Sequence, residues 1–136
     1  VPNTHSIGDR TEAIVMAALL QVYDSVLIPF GNGRRYDMVV DDGGKFLRIQ
    51  CKTGWMRDGR IDFNAASSHA HRGGSTRPYR GEAEYFGVYC PQNTKVYLVP
   101  VEDVGSRLGS LRLEPARNNQ QKGIRLAEQY ELNTPA

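Results

Sequence analysis

The chain has 136 residues, 40% hydrophobic and 24% charged, with a formal net charge of +2. That composition describes one modest globular core over residues 1–136 and excludes a disordered or low-complexity chain. No run approaches the ~18 consecutive apolar residues of a membrane span, and two cysteines are too few for a disulfide scaffold.

In chain order, the stretch GDRTEAIVMAALLQVY predicts an amphipathic helix from about Asp9 to Tyr23. Asp9 suits its N-cap, and Glu12 then completes a capping box. Glu12 also heads the apolar row of Val15, Met16, Leu19 and Tyr23, where a carboxylate can face a site. SVLIPF and RRYDMVV read as strands separated by a GNG turn, and KFLRIQCKT as a third strand after DDGG. GRIDFNA is a fourth. Ala66 to Glu82 is rich in Ser, His, Arg and Gly, lacks periodicity and reads as a long loop. EYFGVYCP and KVYLVPV are two more strands, VEDVGSRLG is a short helical or turn segment, and SLRLEP is a late strand. The tail NNQQKGIRLAEQYEL has some helical character. One helix followed by a strand-rich middle predicts an α/β fold with a central mixed β-sheet flanked by helices. Cys51 and Cys90 lie in strand-like runs and read as small buried hydrophobes in a reduced compartment. The N-terminal VPNTHSIGDR lacks an apolar signal region, so the expected location is cytoplasmic.

The strand KFLRIQCKT sorts its side chains by alternation. Leu47, Ile49 and Cys51 point one way; Arg48, Gln50 and Lys52 point the other. A turn centred on Asp42-Gly43 would set Asp37 opposite Arg48 and diagonal to Gln50, on the face of Gln50 and Lys52 unless a bulge intervenes. A carboxylate, an amide oxygen and an ammonium then share one small patch. Mg2+ takes oxygen ligands of this kind, and Mn2+ can replace it. Such an ion can polarise a phosphodiester and lower the pKa of bound water, while Lys52 orients that water or stabilises the transition state.

Charge distribution points to the same substrate. Between Lys45 and Arg80 eight basic residues face two acids, Asp58 and Asp62, a local charge of +6. A basic patch is the footprint of a nucleic-acid partner, although a solvated basic loop gives the same sequence. Candidate phosphate contacts are Arg48, Arg57, Arg60, Ser67, Ser68, Arg72, Arg77 and Arg80, with His69 and His71 in the same loop. Trp55 either stacks on a base or caps the core.

Asp37…Gln50-Cys51-Lys52 resembles the D…(D/E/Q)-x-K motif of the PD-(D/E)XK nuclease superfamily, of restriction-endonuclease-like fold. The blocks RYDMVVDDGGKFLRIQCKT, YRGEAEYFGVYCPQNTKVYLVPV and SLRLEPARNNQ are similar, in that order, to a bacterial branch grouped with group I intron-associated (homing) endonucleases. The resemblance runs from Gly8 to about Tyr130. It implies a metal-dependent DNA endonuclease in which Asp37, Gln50 and Glu12 bind the metal and Lys52 assists water attack. It also adds Arg117 and Asn118 as phosphate contacts, and Glu82 and Glu84 as supports of the site or an N-cap. Homodimers or homotetramers are expected, since cutting two strands needs two sites. Tyr36 stands where the motif name has proline. Gln50 replaces a second carboxylate, and a neutral ligand there lowers the charge available to hold a metal. A Holliday-junction or other structure-specific resolvase, and a non-catalytic DNA-binding module on the same fold, are the alternatives.

Overall fold

A computed structural model describes residues 3–68, 76–115 and 124–132. Its helix α1 spans Thr4–Leu20, earlier than the sequence suggested. Asn3 is the N-cap, its side chain accepting from the Ser6 amide at 2.9 Å. Asn is among the best caps, and once it starts the helix, Asp9 and Glu12 fall in the interior. The capping-box role of Glu12 is therefore overturned. Val15 and Leu19 are buried, as the apolar row requires.

Strand β1 (Ser25–Leu27) pairs with β2 (Met38–Asp42), which turns into β3 (Lys45–Thr53). The hairpin register is Asp42↔Lys45 through Met38↔Ile49, so the turn is Gly43-Gly44. Both glycines have positive φ, +61° and +90°. A two-residue turn of this hand needs positive φ at both central positions, which glycine adopts without penalty and Asp42 would not. The expected pairing of Asp37 with Arg48 is thus displaced by two residues. A two-residue shift leaves every side chain on its face, and Leu47 and Ile49 are buried on the α1 side as expected.

Strand β3 leads without a loop, through Gly54, into β4 (Trp55–Arg57), and β5 (Arg60–Asn64) returns against β4. A Cβ at Gly54 would meet Ile61 and Val88 methyls at 3.0 Å, so only glycine lets the chain cross there. The expected loop from Ala66 to Glu82 contains a pairing that composition hid. Strands β6 (Ala66–Ser68) and β7 (Thr76–Pro78) form a two-stranded ribbon. Strands β8 (Tyr85–Cys90) and β9 (Lys95–Pro100) follow, then a 3-10 turn at Val101–Asp103. Strand β10 (Leu108–Arg112) begins two residues before the expected SLRLEP. The tail carries a 3-10 turn at Ala127–Gln129.

The main sheet has the order β1-β2-β3-β8-β9, with β3 central. β3 pairs antiparallel with β2 and parallel with β8, so the sheet is mixed as expected. On one face α1 packs Val15 and Leu19 against Met38, Val40, Leu47 and Ile49. α1 comes close to β8: a Cβ on Gly87 would lie 2.6 Å from a Val15 methyl. On the other face Phe86, Val88, Tyr97 and Val99 meet Ile61, Phe63 and Leu111 of a second sheet, β10-β5-β4. Among the described residues one α-helix covers one face and this second sheet covers the other. Cys90 is buried, Cys51 is half-buried, and both are free. Trp55 is half-buried at the start of β4, outside both core clusters. No helix among the described residues is long and apolar enough to cross a membrane.

Candidate active site

Asp37 immediately precedes β2. Its amide bonds the Ile49 carbonyl at 2.8 Å, although Ile49 is already the register partner of Met38. Two residues thus oppose one, the signature of a β-bulge, which bends a strand and re-aims a side chain. The Asp37 carboxylate swings into the sheet plane and its Oδ2 accepts the Cys51 backbone amide at 2.8 Å. The bulge the sequence left open is therefore present. It takes Asp37 out of the regular alternation and leaves its carboxylate within electrostatic reach of Glu12 on α1 and Lys52 on β3.

From the α1 side Glu12 comes within electrostatic reach: beside burial, Asp37 raises its affinity for protons, and both carboxylates add to the effect of burial on Cys51. From the opposite face comes Lys52, whose ammonium favours the charged form of Asp37. Lys52 Nζ donates to the Tyr79 hydroxyl at 3.3 Å and lies 4.8 Å from the ring centroid. Gln50 sits two residues before Lys52, half-buried and in register with Phe86. At the end of β3 the hydroxyls of Thr53 and the buried Thr11 are 2.5 Å apart, which ties α1 to this strand.

Burial pushes the Asp37 carboxyl above its ordinary pKa, and the Cys51 amide and the Lys52 ammonium only partly offset it. Glu12 is pushed up first by burial, then by Asp37 and Asp9. Burial, with the two carboxylates, pushes the Cys51 thiol far up, so it is not a reactive nucleophile. Two neighbouring acids, both pushed up chiefly by burial, are a site short of positive charge. Their donors, with the Gln50 amide, are all hard oxygens, the set a divalent cation of the Mg2+ type takes. They fit such an ion, although no group of three or more His, Cys, Asp and Glu side chains is gathered among the described residues.

The candidate phosphate-binding side chains are more engaged than a +6 stretch suggests. Arg48 donates Nε and Nη2 to Glu84, at 3.0 and 2.6 Å, and its backbone amide bonds the same carboxylate. These bonds hold Glu84 below the ordinary carboxylate range. Arg60 pairs with the buried Asp62, which also accepts from Ser110 Oγ at 2.7 Å. Arg77 donates to Glu82 at 2.6 Å, and Arg80 to the Val104 carbonyl at 3.3 Å. Arg57 is exposed and only loosely near Asp58, at 3.8 Å. Glu82 and Glu84 thus anchor arginines, and neither caps a helix. Ser67 bonds Arg35, and Ser68 lies in β6. His69, His71, Arg72, Arg117 and Asn118 lie outside the described residues.

Two residues that sequence reasoning passed over organise this region. Arg35 donates Nε to Glu82 at 2.7 Å, Nη1 to Ser67, and Nη2 to the Arg77 and Pro78 carbonyls at 2.9 Å. Its guanidinium carbon stands 3.8 Å from the centre of the Tyr79 ring. One signal was available: Arg35 lies two residues before Asp37 and Tyr79 opens the YRGE block. Their meeting, across more than forty residues, was not visible.

The chain as a whole has counterparts among known proteins. A sequence model of the PD-(D/E)XK endonuclease family matches residues 2–133. The chain belongs to this family. A solved structure described as a bacterial homing endonuclease, I-Ssp6803I, is similar at a TM-score of 0.70 and 25% identity. The likeness covers 96% of this chain and 89% of that one. No curated protein matches the chain. The restriction-endonuclease-like fold and the nuclease family expected from the motif therefore both stand. PD-(D/E)XK nucleases generally use divalent metals and act on DNA, in keeping with the all-oxygen donor set around Asp37.

Proposed function

We propose that the chain is a Mg2+-dependent DNA endonuclease, with Mn2+ able to substitute. Asp37, Gln50 and Glu12 would hold the ion, which supplies electrophilic polarisation of the scissile phosphate and a lowered water pKa. Lys52 would hold the attacking water or balance the charge that develops on the phosphorane-like transition state. Arg57, the least engaged of the five candidate phosphate-binding arginines whose contacts are described above, would take phosphate oxygens directly. Arg48, Arg60, Arg77 and Arg80 would present theirs from carboxylate- or carbonyl-braced positions, alongside Ser67, Ser68, Arg72, Arg117 and Asn118. The one domain would act as a homodimer or homotetramer, one site for each strand. The observation that carries the reading is the Asp37 carboxylate locked onto the Cys51 amide, with Glu12 on one side and Lys52 on the other. The similarity to a homing endonuclease favours cutting at a defined duplex sequence.

A plasmid-nicking assay with Mg2+, Mn2+ or EDTA tests the proposal, with a four-way junction and a random duplex library run beside it. Metal-dependent cutting that Lys52→Ala lowers about 10²–10³-fold, with DNA binding kept, is the expected result. Preference for the junction would make the enzyme a structure-specific resolvase. Tight DNA binding without cutting under any metal would leave a binding module.

A further inference from the structure

The motif contains a lysine but not what holds it. A lysine side chain has many rotamers to lose, and an ammonium that wanders is a poor partner for a transition state. Around Lys52 the surroundings are well defined. Tyr79 is 5% exposed and packs edge-on to Phe86, ring centroids 5.6 Å apart at 87°. The Arg35 guanidinium lies 3.8 Å over the same ring. Arg35 is itself fixed by Glu82, Ser67 and two carbonyls of the β7 segment. The phenol is therefore a rigid post rooted in the core, and its free end meets Lys52: Nζ to hydroxyl 3.3 Å, Nζ to centroid 4.8 Å.

We propose that Tyr79 is the positioning residue of Lys52, presenting the ammonium to the scissile phosphate through its hydroxyl and ring face. The assignment rests on the nuclease reading above, in which Lys52 does chemistry. The hydroxyl accepts one ammonium proton and leaves two for the reacting group. The ring adds cation–π attraction without claiming a donor. Arg35 acts at one remove, keeping the ring in place, and it also joins the β6–β7 ribbon to the segment that enters Asp37.

Two measurements test this, and they fail separately. The chain has four lysines, Lys45, Lys52, Lys95 and Lys122, so selective 13C labelling gives a readable set of ε-methylene signals. The Lys52 signal, assigned by its loss in Lys52→Ala, should be ring-shifted in the protein without metal or DNA. The shift should vanish in Tyr79→Leu and survive in Tyr79→Phe. An unshifted Lys52 signal in the native protein overturns the proposal, whether or not the protein cuts DNA. The second measurement is a rate cycle. Tyr79→Phe, which keeps the packing on Phe86, should lower kcat roughly tenfold at unchanged DNA affinity, the effect of one hydrogen bond. In a Lys52→Ala background the same change should cost nothing more. An equal fold-loss in both backgrounds means the hydroxyl acts elsewhere and overturns the assignment. If the native protein cuts no DNA, the nuclease reading fails while the ring shift still decides the positioning.

Discussion

The Asp37 carboxylate accepts the backbone amide of Cys51 at 2.8 Å, where a regular ladder would offer a carbonyl. The acid of the site is thus also a structural acceptor. Asp37→Ala should leave the Cys51 N–H unpaired and destabilise the fold by about 1–3 kcal/mol. Asp37→Asn keeps an oxygen for that amide and should melt near the native temperature, yet lose metal-stimulated cutting as fully as the alanine variant. Denaturant melts and nicking rates measured on both variants check the separation.

Glu12 and Asp37 carry raised pKa values in the folded chain. The folded state then binds protons more tightly than the unfolded chain. That contribution to stability is present at low pH and is lost as pH rises from the ordinary carboxylate value through the raised one. Glu12→Gln removes the loss, so the metal-free variant should be at least as stable as the native protein at neutral pH. Bound by Asp37 and Glu12 as proposed, Mg2+ would compete with these protons, so the affinity for Mg2+ should fall off on acidification sooner than ordinary carboxylates would allow. Calorimetric titration across the pH range in which a raised carboxyl ionises reads both effects.

Gln50 stands where a second carboxylate would add charge. Gln50→Glu should tighten Mg2+ binding roughly tenfold at neutral pH, because each carboxylate strengthens a hard-cation site. It should also raise the Glu12 and Asp37 pKa values further in the absence of metal, through like-charge repulsion. A Mg2+ titration of the variant showing unchanged or weaker binding would remove Gln50 from the ligand set.

Arg35→Lys should be disruptive. One ammonium cannot reproduce a planar fork that reaches Glu82, Ser67 and two carbonyls while covering a ring. A loss of roughly 2–3 kcal/mol in denaturant unfolding is expected, by analogy with hydrogen bonds to charged groups. Proteolysis should also become faster within the β6–β7 ribbon.

Much of this was legible in the sequence because alternation is insensitive to small errors. The turn was placed one position early, yet Leu47 and Ile49 still belong to the α1 core, since the displaced register kept its parity. Asp37 was legible as an acid near Lys52, but its bulge was not: nothing local in YDM distinguishes a bulge from a strand start. The helix began five residues early because Asn3 outcompeted Asp9 as a cap, and both are good caps. The charge of the basic stretch misled in a different way. Its balancing acids, Glu82 and Glu84, lie just past the counted window, and folding brings them back onto Arg35, Arg77 and Arg48. Long-range partners of arginine have no short-range signal.

The passage of β3 through Gly54 into β4 has a mechanical meaning. The strand that bears Gln50 and Lys52 in the main sheet is the same backbone that, two residues after Lys52, packs under Ile61 and Val88. No linker decouples the two sheets at that point. The lysine and the second sheet are therefore joined as a lever without a joint.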